Sequence, residues 1–389
     1  MGLRVVLSLS PNVIQAVFPR KAAFFMRFGD CLSPNDWRSD TLPGIFAHIS
    51  MPLFGNTFSR HCLGSNRIPF EPFLRNHTLN TQKLTGLIAA TYTPFHADGS
   101  LALSQVGPMV EFLLSSGVQG LYVCGSTGEG MSLTTAERQE IAAAYMDAAD
   151  GRVPVLVQVG HNSIEDAKAL AAHAQEIGVA AISATCPSYF KIDSSATLAA
   201  SMAEIAAAAP QLPFYYYHIP SLTGSAIDIA QFMQLAGDYI PNLVGLKYTD
   251  TKLFEFQECQ AIDGGRYDIV WGADEMLLGA LASGAQAAIG STYNVAAPLY
   301  AKLIEAFEAN DLPLARALQL QSIEFIRIMG RFPFHSATKE LLRMLGHDLG
   351  TCRLPQRGLT PDEVETLRSK LASSTYFSTV LAQLASEDA

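Results

Sequence analysis

The sequence contains no uninterrupted apolar run of the ~18 to 20 residues that a helix needs to cross a bilayer, which excludes a spanning helix. It also lacks a C-x-x-C pair and any zinc-ligand spacing. The six cysteines (Cys31, Cys62, Cys124, Cys186, Cys259 and Cys352) lie 31 to 93 residues apart. They read as reduced thiols of a cytoplasmic protein, small buried hydrophobes with neither a disulfide framework nor a metal to hold. Basic charge is scarce, with 26 Lys+Arg against 36 Asp+Glu for a net charge of -10. That balance argues against nucleic acid, whose phosphates are bound mainly by Lys and Arg. No Gly-Lys-Ser/Thr sequence is present and no G-x-G-x-x-G opens a helix, so neither a P-loop nor a dinucleotide cofactor is expected. What remains is a chain of 389 residues, 49% hydrophobic and 16% charged. Such a composition suits a globular enzyme built as one large domain with extensions, or as two ordinary domains.

The charge is unevenly spread. Residues 1–80 hold eight Lys+Arg and four Asp+Glu, and scatter Phe, Pro, Arg and Asn without a sustained helix or strand period. This segment reads as an appendage, poorly ordered or the product of a mis-assigned start, and is expected to be dispensable. From Gly86 the texture changes to short apolar runs, each followed by an Ala-rich amphipathic stretch. The strand-like runs are 86–91, 120–124, 154–159, 180–185, 213–217, 243–247, 268–271 and 287–290. The helical stretches include 104–116, 134–149, 164–177, 197–208, 228–235, 254–262, 275–282 and 297–309. Continuous apolar runs suit strands buried on both faces, and parallel neighbours require helical crossovers. Eight units predict an α/β fold, a (β/α)8 TIM barrel over 81–310, with C-terminal helices over 311–389.

In such a barrel the chemistry lies where strands end. Strand two runs into Gly125-Ser126-Thr127-Gly128-Glu129, strand four into Pro187-Ser188-Tyr189, and strand five into Tyr217-His218-Ile219-Pro220. Strand six ends in Lys247-Tyr248-Thr249-Asp250, strand seven in Gly272-Ala273-Asp274-Glu275, and strand eight in Gly290-Ser291-Thr292-Tyr293-Asn294. Lys247 alone among the lysines after residue 80 ends an apolar run. Burial lowers a lysine's pKa and frees the amine to attack a carbonyl; the alternative is a lysine that pairs with Asp250 or Glu275. The glycine-rich loop either receives a carboxylate or phosphate on its N–H groups and hydroxyls, or is a turn that needs glycine's freedom. Tyr215 and Tyr217 share one face by alternation, Tyr216 the other. Tyr217 is then a proton shuttle or a core tyrosine, and His218 faces away from it. Asp274 stands where a helix N-cap would, a role that can coexist with another. No metal-ligating set recurs at the strand ends.

These motifs together, G-S-T-G-E at 125–129, Y-H-I-P at 217–220, G-L-K at 245–247 and G-S-T-Y-N at 290–294, resemble the dihydrodipicolinate synthase and N-acetylneuraminate lyase superfamily of Schiff-base barrel lyases. The resemblance covers residues ~86–372 and is nearer to the lyase branch. Where the synthase branch carries an arginine shortly after the tyrosine, this chain has Ser221-Leu222-Thr223. The resemblance implies Lys247 as Schiff-base lysine, Tyr217 as proton relay, and Ser126 with Thr127 as binders of a pyruvyl carboxylate. It assigns Thr249, Gly272, Asp274, Glu275 and Ser291 to the substrate's polyhydroxyl tail, counts Gly125 and Gly290 among the substrate-binding residues, and gives Tyr189 to a loop that approaches a neighbouring subunit's site. It implies a homotetramer, a small 2-keto sugar acid as substrate, and no cofactor. A sister lyase for another 2-keto-3-deoxy acid, a dihydrodipicolinate synthase, and an inert keto-acid-binding barrel are the other readings.

Overall fold

The structure is a computed structural model and describes residues 82–381. The readings for residues 1–80, including Cys31 and Cys62, lie outside the described residues. Eight parallel strands close into a barrel in chain order, β1 pairing with both β2 and β8. They are β1 (Gly86–Ala90), β2 (Gly120–Val123), β3 (Val155–Gln158), β4 (Ala181–Ala184), β5 (Phe214–His218), β6 (Leu243–Tyr248), β7 (Asp268–Trp271) and β8 (Ala287–Gly290). Each expected strand is present within a residue or two of its predicted ends.

The intervening helices are α1 (Val106–Ser115), α2 (Thr135–Ala149), α3 (Ile164–Glu176), α4 (Ser195–Ala207), α5 (Ile229–Tyr239), α6 (Leu253–Ala261) and α7 (Leu277–Ala282), and α8 (Tyr293–Glu308) follows β8. Side-chain oxygens set several starts. Thr134 and Glu137 form a capping box at α2, while Ser163, Ser194 and Asp228 cap α3, α4 and α5. Helix α8 begins four residues earlier than the pattern suggested, and kinks at Ala296 (φ -141°, ψ 23°). Pro298, which has no N–H, explains both: it breaks the ladder behind the first turn and makes the sequence look as if the helix starts there.

Two layers of apolar packing result. One fills the space between strands and helices; the other lies inside the barrel and contains Ile88, Tyr122, Leu156, Tyr215, Tyr217, Val270 and Ile289. At the N-terminal end of the barrel Tyr215 donates to Asp268 Oδ2 (2.8 Å), which also accepts from Leu84 N–H (2.9 Å). Beyond the barrel, α9 (Leu312–Met329) packs on α8, α10 (Phe334–Met344) on α8 and α9, and α11 (Pro361–Ala372) on α9 and α10. The described cysteines, Cys124, Cys186, Cys259 and Cys352, are free and buried. None of the described helices is long and apolar enough to cross a membrane.

Candidate active site

Lys247 occupies an interior position of β6, level with Tyr217 on β5 and Val270 on β7. It is 4% exposed, and its Nζ lies 4.0 Å from the centroid of the Tyr122 ring and 4.1 Å from that of Tyr217. Among the described residues no carboxylate pairs with it. Asp250, the expected structural partner, instead binds Lys252 (3.1 Å). Burial therefore lowers the Lys247 pKa to about 7, against a smaller opposing pull from Asp274. The two rings meet edge to face at 5.8 Å and form a floor on which an amine can rest without an ionic partner.

The phenols above that floor differ. Tyr122 OH is 3.0 Å from Ser183 Oγ on β4, a contact that ties it within the barrel. Tyr217 has its hydroxyl by Ser126 and Thr249, which partly offset the rise in its pKa that burial causes. It stays protonated at neutral pH. Tyr216 points outward against Phe232, as alternation requires. His218 joins this outer layer, stacked on Tyr248 at 5.4 Å, with its pKa pushed down to about 4 by burial. His218 is thus separated from the lysine by the wall of the barrel.

The loops at the strand ends are stitched together across the mouth. Thr127 Oγ1 and Ser291 Oγ are 2.6 Å apart, and Asn294 donates to the carbonyls of Ala90 (2.7 Å) and Ser291 (2.8 Å). Asp274 Oδ2 accepts from Thr292 N–H (2.9 Å) and Thr292 Oγ1–H (2.6 Å). The N-cap reading of Asp274 therefore fails. It stands inside a 3-10 turn whose N-cap is Ala273, and its side chain bonds the next loop instead of its own turn. Burial raises the Asp274 pKa to about 6, with Thr292 and Lys247 opposing the rise. Asp274 Oδ1 and Thr249 Oγ1 are buried and make no close hydrogen bond among the described residues, although the Tyr293 hydroxyl faces Asp274 and that of Tyr217 faces Thr249.

Gly290 and Gly272 leave room for those two atoms. A β-carbon at Gly290 would overlap Asp274 Oδ1, and one at Gly272 would overlap Thr249 Oγ1. Gly125 is buried against Tyr122, where a β-carbon would fall 2.7 Å from a ring carbon. The structure thus gathers Lys247, Tyr217, Gly125, Ser126, Thr127, Thr249, Gly272, Asp274, Gly290 and Ser291 at one end of the barrel. Two predicted members stand apart. Tyr189 is 78% exposed on the loop after β4, against Phe190, and Glu275 is exposed on a groove with Met276 and Arg316. Sequence reasoning missed Tyr122. The signal was a tyrosine inside the apolar run Gly-Leu-Tyr-Val, three residues before the glycine-rich loop.

The profile of the dihydrodipicolinate synthetase family matches residues 83–374. The chain belongs to that family. It is 37% identical over 302 residues to an N-acetylneuraminate lyase of Mus musculus, which covers 76% of this chain and 94% of the relative. It is 39% identical over 295 residues to that of Xenopus tropicalis, covering 75% and 96%. Among solved structures, Proteus mirabilis N-acetylneuraminate lyase superposes with a TM-score of 0.74 at 38% identity, covering 76% of this chain and 100% of that one. The matched region begins where the apolar alternation begins, and includes the C-terminal helices.

The lysine's environment has a consequence for pH. The amine attacks only when neutral, so the rate of trapping a keto acid on Lys247 should rise as pH climbs through about 7. Because the Asp274 charge favours the ammonium form, Asp274→Asn should move that midpoint lower. Rates of reductive trapping from pH 5.5 to 9.5, in both proteins, check this. A rise only near pH 10 would contradict the burial argument, and an upward shift in the variant would contradict the sign of the Asp274 contribution.

Proposed function

We propose that this family member is a carbon-carbon lyase of the class I aldolase type, which cleaves N-acetylneuraminate reversibly to pyruvate and N-acetylmannosamine. The observation that carries the reading is a buried lysine without an ionic partner, held on two tyrosine rings at the C-terminal end of a barrel strand. The similarity to lyases at 37% to 39% identity over most of their length supports the substrate.

In this mechanism the Lys247 amine adds to the C2 keto group of the open-chain sugar acid and expels water, giving a protonated imine. The C3–C4 bond then breaks, and its electron pair moves into the C2–C3 bond as the imine accepts the displaced pair on nitrogen. As C4 becomes an aldehyde its hydroxyl loses a proton. Tyr217 passes that proton on: its phenol accepts while its own proton goes to the substrate carboxylate, directly or through the Ser126 hydroxyl, which gives up its own proton in turn. The enamine is protonated at C3, and water releases pyruvate and restores the amine. Ser126, Thr127 and the N–H groups around Gly125 hold the carboxylate, while Thr249 Oγ1, Asp274 Oδ1 and Ser291 meet the tail hydroxyls. Gly272 and Gly290 serve that binding indirectly, by leaving space.

Product analysis with a panel of 2-keto-3-deoxy sugar acids tests the substrate. N-acetylmannosamine and pyruvate should appear at the highest kcat/KM from N-acetylneuraminate; a preference for a shorter acid would assign a sister lyase. Condensation of pyruvate with aspartate semialdehyde would assign the synthase instead. Asp274→Asn should cost N-acetylneuraminate cleavage about 1.5 to 3 kcal/mol, the worth of a hydrogen bond to a charged group, with pyruvate trapping at saturation retained. A shorter acid without those hydroxyls should lose less. Equal losses on both substrates would remove Asp274 from tail recognition.

A further inference from the structure

A second buried lysine lies in the described structure. Lys339, on α10, is 2% exposed and its Nζ donates to Glu129 Oε1 (2.9 Å), Thr93 O (2.8 Å) and Thr351 O (3.2 Å). Glu129 is the last residue of the G-S-T-G-E loop, and its other oxygen accepts from Arg353 N–H (2.8 Å). Both side chains are almost wholly enclosed, at 1% and 0%. A buried pair of this kind is not the best device for stability alone, because apolar packing of the same volume often serves as well or better. It is, however, directional, and it ends on the backbone that carries the site.

Glu129 N–H donates to the carbonyl of Ser126 (3.1 Å), and Gly130 N–H to that of Gly125 (3.1 Å). The turn between them presents Ser126 and Thr127. It is bounded by two non-glycine residues in the left-handed region, Cys124 (φ 59°) and Glu129 (φ 56°). Such conformations persist where the surroundings enforce them. Gly128 and Gly130 admit no β-carbon, since one would strike Thr91 O at 2.9 Å and the other would overlap Cys124 O. Thr93 Oγ1–H donates to Gly128 O (2.6 Å) and so closes the turn from the side of β1.

We infer that Glu129 and Lys339 are positioning residues for the proposed lyase reaction: the C-terminal helical region, through this ion pair, holds the Ser126–Thr127 turn in the shape that captures the keto acid's carboxylate. This rests on the reading of Lys247 as the Schiff-base lysine and of the turn as the carboxylate receptor. It explains why helices outside the barrel belong to the functional unit. Lys339 touches no proposed substrate group; it acts through Glu129, whose backbone is bonded to Ser126.

The test measures reductive trapping of pyruvate on Lys247 against pyruvate concentration, in the full chain, for the wild type, Lys339→Met and the double variant Glu129→Gln/Lys339→Met. The double variant leaves no unpaired charge buried, so it covers the case in which the single variant does not fold. Melting temperature is recorded beside each. The half-saturating pyruvate concentration does not depend on the fraction of molecules folded, so it separates positioning from stability. It should rise about tenfold to a hundredfold in a folded variant, the cost of a small misplacement of binding groups, while trapping at saturation stays within a few-fold of the wild type. Unchanged half-saturation in a folded variant, or failure of both variants to fold, would assign the pair to stability alone and overturn the inference. Absence of trapping on Lys247 in the wild type would overturn the functional reading, and the inference with it.

Discussion

Lys247→Arg is expected to fold and to be inactive. Cleavage of N-acetylneuraminate should fall by about 10⁴- to 10⁶-fold, the scale of losing a covalent nucleophile. A guanidinium stays charged at any accessible pH and cannot form an imine. Burial disfavours a fixed cation there, but the Tyr122 and Tyr217 rings that lie 4.0 and 4.1 Å from the lysine nitrogen offer π-faces that offset part of that cost. The melting temperature should therefore stay within several degrees of the wild type. A variant with full stability and turnover above background would mean that another group carries the chemistry.

Tyr217→Phe should lower kcat by about 10² to 10⁴, the usual contribution of a positioned acid-base group. The ring that supports Lys247 remains, so the fold and the capture of pyruvate should be largely kept. Tyr122→Phe supplies the contrast. It also keeps a ring beneath the lysine, but the hydroxyl it removes faces Ser183 at 3.0 Å. Its effect should be mainly a loss of about 1 kcal/mol of stability, the net worth of an ordinary hydrogen bond. Single-turnover cleavage and thermal melts of the two variants decide between the phenols. Equal kcat losses would show that the Tyr217 hydroxyl has no special part in the reaction.

The barrel was legible because parallel strands buried on both faces must be apolar along their length, as in Leu-Ile-Ala-Ala or Ala-Ala-Ile-Gly. Lys247 stood out for the same reason, as a charge at the end of such a run. The pattern was silent wherever a residue's role depends on a distant partner. Tyr122 looks like any core aromatic until β6 brings Lys247 against its face. Glu129 and Lys339 are 210 residues apart and each resembles an ordinary surface charge, yet both are enclosed. Asp274 had the residue type and place of an N-cap, and only the approach of the β8 loop gives its carboxylate Thr292 to bind instead. Glu275, its neighbour, turns to the exterior because the 3-10 turn after β7 points successive side chains in different directions.

The central claim is that Lys247 forms an imine with a 2-keto acid. Incubation of the full chain with pyruvate and borohydride, followed by proteolysis and mass mapping of the peptides, reads that bond directly. The expected result is one pyruvate-derived adduct per chain, located on Lys247, formed faster at pH 8 than at pH 6 and suppressed in Lys247→Arg. No adduct, or an adduct on another lysine that persists in Lys247→Arg, would contradict the account.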